Sequence, residues 1–214
     1  MSKHQKRNNV PKTWPIPRKG TTFVVSRNSI GIPILVVLRD MLKIAKNKKE
    51  VKIAIHRKMV LINNKKVVNE KKSMELFDVL TLTPTKKNYR LTLNEKGKYS
   101  IEEISEKDSK IKISKIIGKK TTKNKKQQIN LYDSRNYLSD LKCKVGDSIV
   151  LDLDKNKILK VLSLKEKAKV LVINGKHAGR VGVIEKLLPE KKLAQLVSEK
   201  ESFNVLIKQM MVIE

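Results

Sequence analysis

Residues 169–187 read KVLVINGKHAGRVGVIEKL. Apolar and polar residues alternate, break at Asn174-Gly175, and alternate again after Gly179 and Gly182. This pattern predicts two short strands joined by a glycine-rich loop. The loop carries Lys176, His177 and Arg180. Glycines at 175, 179 and 182 would let backbone approach a phosphate closely, with the cations holding it there. The plainer alternative is a structural hairpin with a basic turn.

Charge points the same way. The 214 residues carry 49 Lys+Arg against 21 Asp+Glu, a formal net charge of +28. Such an excess repels itself, and a polyanion, most commonly nucleic acid, relieves it. An acidic membrane surface is the other polyanion, but the longest apolar run, residues 34–38, is far too short to span a bilayer. The basic N-terminus lacks the apolar centre of a signal peptide. The single Cys143 leaves no internal disulfide and suits a reducing cytoplasm.

Only eight of the cations are arginines: Arg7, Arg18, Arg27, Arg39, Arg57, Arg90, Arg135 and Arg180. Lysine contacts phosphate as a mobile point charge, whereas the planar arginine fork suits fixed contacts. A/T-rich coding would also favour Lys over Arg, without explaining the net excess. Aromatics, at 4%, are too few for a platform that stacks single strands. The expected partner is folded, phosphate-rich RNA or duplex recognised by shape.

Four segments follow from composition and periodicity. Residues 1–33 contain no acid and read as an extended basic arm, outside any core, anchored at Trp14. Its candidate contacts are Lys3, His4, Lys6, Arg7, Lys12, Trp14, Arg18 and Lys19. Deleting residues 1–19 is then expected to leave the melting transition nearly unchanged. Residues 34–83 predict two helices, the first through Ile34, Leu35, Leu38, Leu42 and Ala45. A strand turning at Asn63-Asn64 and a strand over 74–82 follow. Residues 84–164 read as hairpins, one tipped by Lys119, Lys120, Lys123, Lys125 and Lys126, a candidate phosphate contact. Residues 165–214 supply about five strands, enough for a small barrel. The overall class is α+β and multidomain.

Catalytic chemistry is not expected. His4, His56 and His177 fall in different segments, and one cysteine makes no zinc site. Gly175–Gly182 spacing sits between strands instead of opening a helix. Asp78, Asp147 and Asp152 lie at turns and strand starts, where structural roles are expected. No cofactor or metal is implied.

Three resemblances bear on these segments. The glycine-rich stretch resembles the KOW motif of ribosomal proteins and transcription elongation factors. The two helices, the Leu61-Ile62-Asn63-Asn64-Lys65 turn and Phe77-Asp78-Val79-Leu80 resemble an S-four-type RNA-binding domain. There Asn64 and Phe77 stand where that domain's pattern has glycine. In such domains the first two helices face RNA, which makes Arg39, Lys43, Lys48, Lys49, Lys52, Arg57 and Lys58 candidates; a solvated helix face is the alternative for any one lysine. Taken together, KHQKRNNVPKTWPIPRKG at the start, IPILVVLRDMLKIA, MELFDVLTL and INLYDSRN are similar to the S-four-e family of small-subunit ribosomal proteins, in its archaeal form. The resemblance implies an SH3-like KOW barrel at the C-terminus and a non-catalytic role. It also implies small-subunit ribosomal RNA and neighbouring ribosomal proteins as partners, one copy per ribosome, in the cytoplasm. A pseudouridine synthase would need a catalytic α/β domain for which too few residues remain. An elongation factor would not need the basic arm or the helix pair.

Overall fold

The computed structural model describes residues 4–27, 30–122, 127–188, 192–198 and 201–214. These are mostly strand, with few helices. They form two units: Met1–Leu93 with Lys98–Lys110, and Asn94–Gly97 with Ile111–Glu214.

In the first unit, Ile34–Val36 begins a helix whose residues Ile34 to Leu38 are all buried. Val37–Met41 continues it as a π-turn, in which Leu42 N donates to Val37 O at 2.9 Å. The helix therefore stops short of Ala45, although Ala45 is buried. Lys48–His56 forms the second helix. Asn47 caps it by accepting from Glu50 N at 3.0 Å, and Glu50 reaches back to Lys46 N at 2.7 Å. Val51 and Ile55, four apart, turn inward.

Val60–Ile62 pairs with Lys65–Lys66 around Asn63-Asn64, with φ of 49° and 61°. Two left-handed residues are what a tight hairpin turn requires, and Asn tolerates that region. The strand expected over 74–82 is interrupted. Ser73–Met74 pairs with Ile32–Pro33, and Val79–Leu82 forms a separate strand. Phe77 lies between them at φ 61°, so side-chain alternation cannot run through it. The turn is closed by Asp78, whose carboxylate accepts from Glu75 N at 2.7 Å and from Asn63 Nδ2 at 2.6 Å.

No break follows residue 83. Val79–Leu82 pairs with Lys87–Leu93, which pairs with Tyr99–Ile104, completing a five-stranded sheet. Nor do residues 1–33 stand apart. Val10 and Trp14 are 5% and 2% exposed and belong to the same core as Ile32, Leu38, Val51 and Leu91. The Trp14 indole donates to Gly31 O at 3.0 Å, and Tyr99 N donates to Thr13 O at 2.8 Å. The expectation of an arm outside any core is corrected: Trp14 is a core residue. It was missed because an irregular, proline-rich segment contributes two isolated anchors and no periodic run.

The second unit holds two five-stranded antiparallel sheets. In the first, Ile111–Thr121 is central, between Gln127–Leu131 and Ser148–Asp152. Its core is Ile116, Ile129, Leu131, Cys143, Ile149 and Leu151. In the second, Lys169–Val172 lies between Val181–Leu188 and Met210–Val212, and Leu193–Val197 and Ser202–Leu206 extend the other side. Val205 and Met210, from the sheet's two outermost strands, meet in one core with Val170, Ile184 and Leu196. Lys115 links the two sheets. Its buried ammonium donates to the carbonyls of Ile207, Lys208 and Met210 at 2.8, 3.1 and 2.7 Å.

Candidate nucleic-acid interface

Six of the eight arginines are held by the protein itself. Arg7 donates to Thr21 O, Pro17 O and Thr21 Oγ1 at 2.7–2.8 Å. Arg18 donates to Val10 O at 2.8 Å, and Arg90 to Asp108 O at 2.7 Å. Arg39 grips Asp40 with two nitrogens at 3.0 and 2.8 Å; that hydrogen-bonded carboxylate raises the guanidinium pKa further. Arg135 lies 3.6 Å from Asp133, which also receives the buried Lys112 ammonium at 2.6 Å. Among the described residues only Arg27 and Arg57 have guanidinium groups without a partner. Forks that match carboxylates and carbonyls are fixed contacts, as the fork geometry predicts, but the contacts are internal.

Lysines carry the accessible charge. Lys6, Lys12, Lys19, Lys43, Lys49, Lys58, Lys120 and Lys176 are exposed, with no side-chain partner among the described residues. Lys48 pairs with Glu70 at 3.2 Å, and Lys119 donates to Cys143 O at 2.6 Å. Burial alone would raise the Glu70 carboxyl pKa, but a backbone hydrogen bond, Lys48 and Lys52 bring it below the ordinary range. Lys3, Lys123, Lys125 and Lys126 lie outside the described residues. On the second helix Lys49, Lys52, Ile53 and His56 recur at helical spacing on the exposed face. Ile53, 51% exposed, and His56 belong to this face and were not among the residues read from the sequence as contacts.

The glycine-rich loop between Lys169–Val172 and Val181–Leu188 is closed on itself. Gly179 N donates to Val172 O, Ala178 N to Gly175 O and Arg180 N to His177 O, at 2.8–3.3 Å. These three amides are engaged internally, whereas those of Gly175, Lys176 and His177 have no acceptor among the described residues. Gly175 (φ 93°) and Gly179 (φ 87°) occupy left-handed turn positions. Gly182 has a different reason: a Cβ would sit 3.0 Å from Val197 O in the neighbouring strand. His177 stacks on Phe203 with centroids 4.6 Å apart. Arg180 lies 5.5 Å over the same ring and 3.2 Å from Glu201. Phe203 and Glu201 thus hold the loop's cations. Nothing local to the loop signals this, because the partners lie more than twenty residues downstream. Lys176 remains the loop's unpaired cation.

His4, at the other end of the chain, is exposed and packs edge-on against Phe23 at 4.6 Å. Asp147 and Asp152 have structural partners, as their positions predict. Asp147 accepts from Lys144 N and Leu164 N, and Asp152 from Asp154 N and Lys155 N. Among the described residues no helix is long and apolar enough to cross a membrane, and no cluster of metal-ligating side chains occurs.

Comparison with known proteins bears on this arrangement. The sequence matches the family models Ribosomal family S4e over residues 85–158, RS4NT (NUC023) domain over 1–28 and KOW motif over 166–198. It is 34% identical to the small ribosomal subunit protein eS4 of Nanoarchaeum equitans, across 88% of this chain and 83% of that one. The eS4 of Methanospirillum hungatei is 33% identical across 96% of this chain and 91% of its own. The fold resembles the crystal structure of the 30S ribosomal protein S4e from Thermoplasma acidophilum, with a TM-score of 0.74 at 22% identity, covering 85% and 94% of the two chains. With the archaeal relatives aligned along most of its length, the chain belongs to the ribosomal family S4e.

Proposed function

We propose that the protein is a structural constituent of the small ribosomal subunit, binding ribosomal RNA through phosphates and shape, without catalysis. The observation that carries this reading is the division of labour among cations. Of the eight arginines, six are tied to the protein's own oxygens, while exposed lysines such as Lys12, Lys49, Lys120 and Lys176 have no side-chain partner among the described residues. Lysine ammonium groups neutralise phosphates and release counterions without reading sequence. Family membership supports reading the RNA as that of the small subunit; neighbouring ribosomal proteins as further contacts, one copy per ribosome and a cytoplasmic place belong to the same proposal.

Within this reading, the helix pair and the Asn63-Asn64 hairpin act as the S-four-type RNA-binding element of the first unit, presenting Lys49, Lys52, Arg57 and Lys58. The C-terminal sheet acts as an SH3-like KOW barrel, presenting Lys176 and His177. Lys6, Lys12 and Lys19 face RNA from the N-terminal segment, and Lys120 from the central hairpin. Sedimentation of a tagged chain in a lysate tests the assignment. The tag is expected in small-subunit particles and their assembly precursors, and to leave them in high salt. A tag that stays at the top of the gradient, or follows nascent messenger RNA, would overturn it.

A further inference from the structure

The second unit contains a cleft of about 420 Å³ that the phosphate-facing role leaves unused. Lys119, Lys142, Lys144 and Lys165 line it. Leu141, Cys143 and Leu164 add apolar lining, and Gln127 and Ser163 a neutral amide and hydroxyl. Leu141, 42% exposed, is the accessible apolar contact, and Cys143, 8% exposed, lies deeper.

The cleft is built, not incidental. Asp147, 5% exposed, accepts from Lys144 N at 2.7 Å and Leu164 N at 2.8 Å, joining two walls through one carboxylate. Lys119 ties a third wall by donating to Cys143 O at 2.6 Å. Lys142, Lys144 and Lys165 have no side-chain partner among the described residues. Four lysines face two carboxylates, Asp140 and Asp147, and Asp147 is already occupied by two amides.

An occupant must offer negative charge to the lysines and an apolar part to Leu141 and its neighbours. Inorganic phosphate would leave the apolar lining wet. A phosphate group on a duplex surface could reach the lysines but not bring a base to Leu141. Pockets that take small organic ligands hold roughly 300–1,000 Å³, and this one falls in that range. Unstacked nucleotides are what proteins read in RNA, by stacking on aromatic or guanidinium planes and by hydrogen bonds to base edges. This cleft has no such plane, so an aliphatic contact and the edge contacts of Gln127 and Ser163 serve. We propose that this cleft receives one nucleotide turned out of the RNA, its base on Leu141, Cys143 and Leu164 and its flanking phosphates on Lys142, Lys144 and Lys165. The proposal rests on the RNA-binding role above and adds a single-stranded contact to it.

Cys143, the chain's one cysteine, lines the cleft and is 8% exposed, so its alkylation rate reports access through the cleft. Burial raises the thiol pKa, so alkylation by N-ethylmaleimide is followed at pH 9 in the full-length protein. A single-stranded RNA oligonucleotide is expected to slow alkylation, and a blunt duplex of equal length to leave it unchanged. The double variant Lys142→Ala, Lys165→Ala should raise the half-protecting oligonucleotide concentration at least about tenfold, as lost charge-assisted contacts would. Its overall affinity for the duplex should change less than about twofold, since those lysines are few among many. Equal protection by duplex overturns the proposal. So does protection by free uridine or adenosine monophosphate alone, which would assign the cleft to a soluble ligand. RNA that binds without slowing alkylation overturns the cleft assignment and leaves the RNA-binding role standing; failure of every RNA to bind defeats both.

Discussion

Lys115 shows how this chain uses a charge where nothing anionic is near. Its three N–H groups meet three carbonyls on the turn Ile207–Gln209 and the strand after it. Burial pushes its pKa down to about 8, which still leaves it charged at neutral pH. Lys115→Met would remove three donors from buried carbonyls, and hydrogen bonds to a charged group contribute about 1.5–3 kcal/mol each before compensation. A loss of about 3 kcal/mol in urea denaturation of the second unit is expected; an unchanged midpoint would mean those carbonyls find other donors. At Gly182 the constraint is space. Gly182→Val should cost about 1–3 kcal/mol by pressing on the Val197 carbonyl. Arg180→Ala, whose pair with Glu201 is solvent-exposed, should shift stability by no more than about 0.5 kcal/mol. Melting curves of the two variants separate the roles. Equal destabilisation would place Arg180 in the packing of the C-terminal sheet, through its contact with Phe203.

At the scale of elements, turn chemistry was readable and tertiary anchoring was not. Asn63-Asn64 announced a hairpin because few residues tolerate two consecutive positive φ values, and the structure places both there. Phe77 is more instructive. It stands where the related pattern has glycine, yet keeps the left-handed φ of 61°, held by the Asp78–Glu75 and Phe77–Leu91 backbone contacts. The residue departed from the pattern and the geometry did not, so a strand read through it was one strand too long. Trp14 left no periodic trace because its neighbours are irregular. Trp14→Ala is expected to cost about 3–5 kcal/mol, as for other buried aromatic truncations. Deletion of residues 1–19 should lower the melting temperature of the first unit by many degrees. A melting curve unmoved by both changes would show that Val10 and Trp14 are dispensable to that core.

For the whole molecule, net charge was legible at once, and its distribution was not. Counting gives +28; only coordinates show Arg7, Arg18, Arg39 and Arg90 turned onto protein oxygens and Lys49, Lys120 and Lys176 left free. A boundary at 33 misses the pairing of Ile32–Pro33 with Ser73–Met74, distant in sequence, and one at 83 falls inside the short turn that joins Val79–Leu82 to Lys87–Leu93. A protein held to RNA by free lysines must lose affinity as salt replaces the released counterions. Binding to a small-subunit ribosomal RNA fragment, measured across salt concentrations, tests this most directly. With about ten phosphates engaged, log affinity should fall against log salt with a slope of roughly −7. A slope near −1, about that of one or two contacts, would contradict the account.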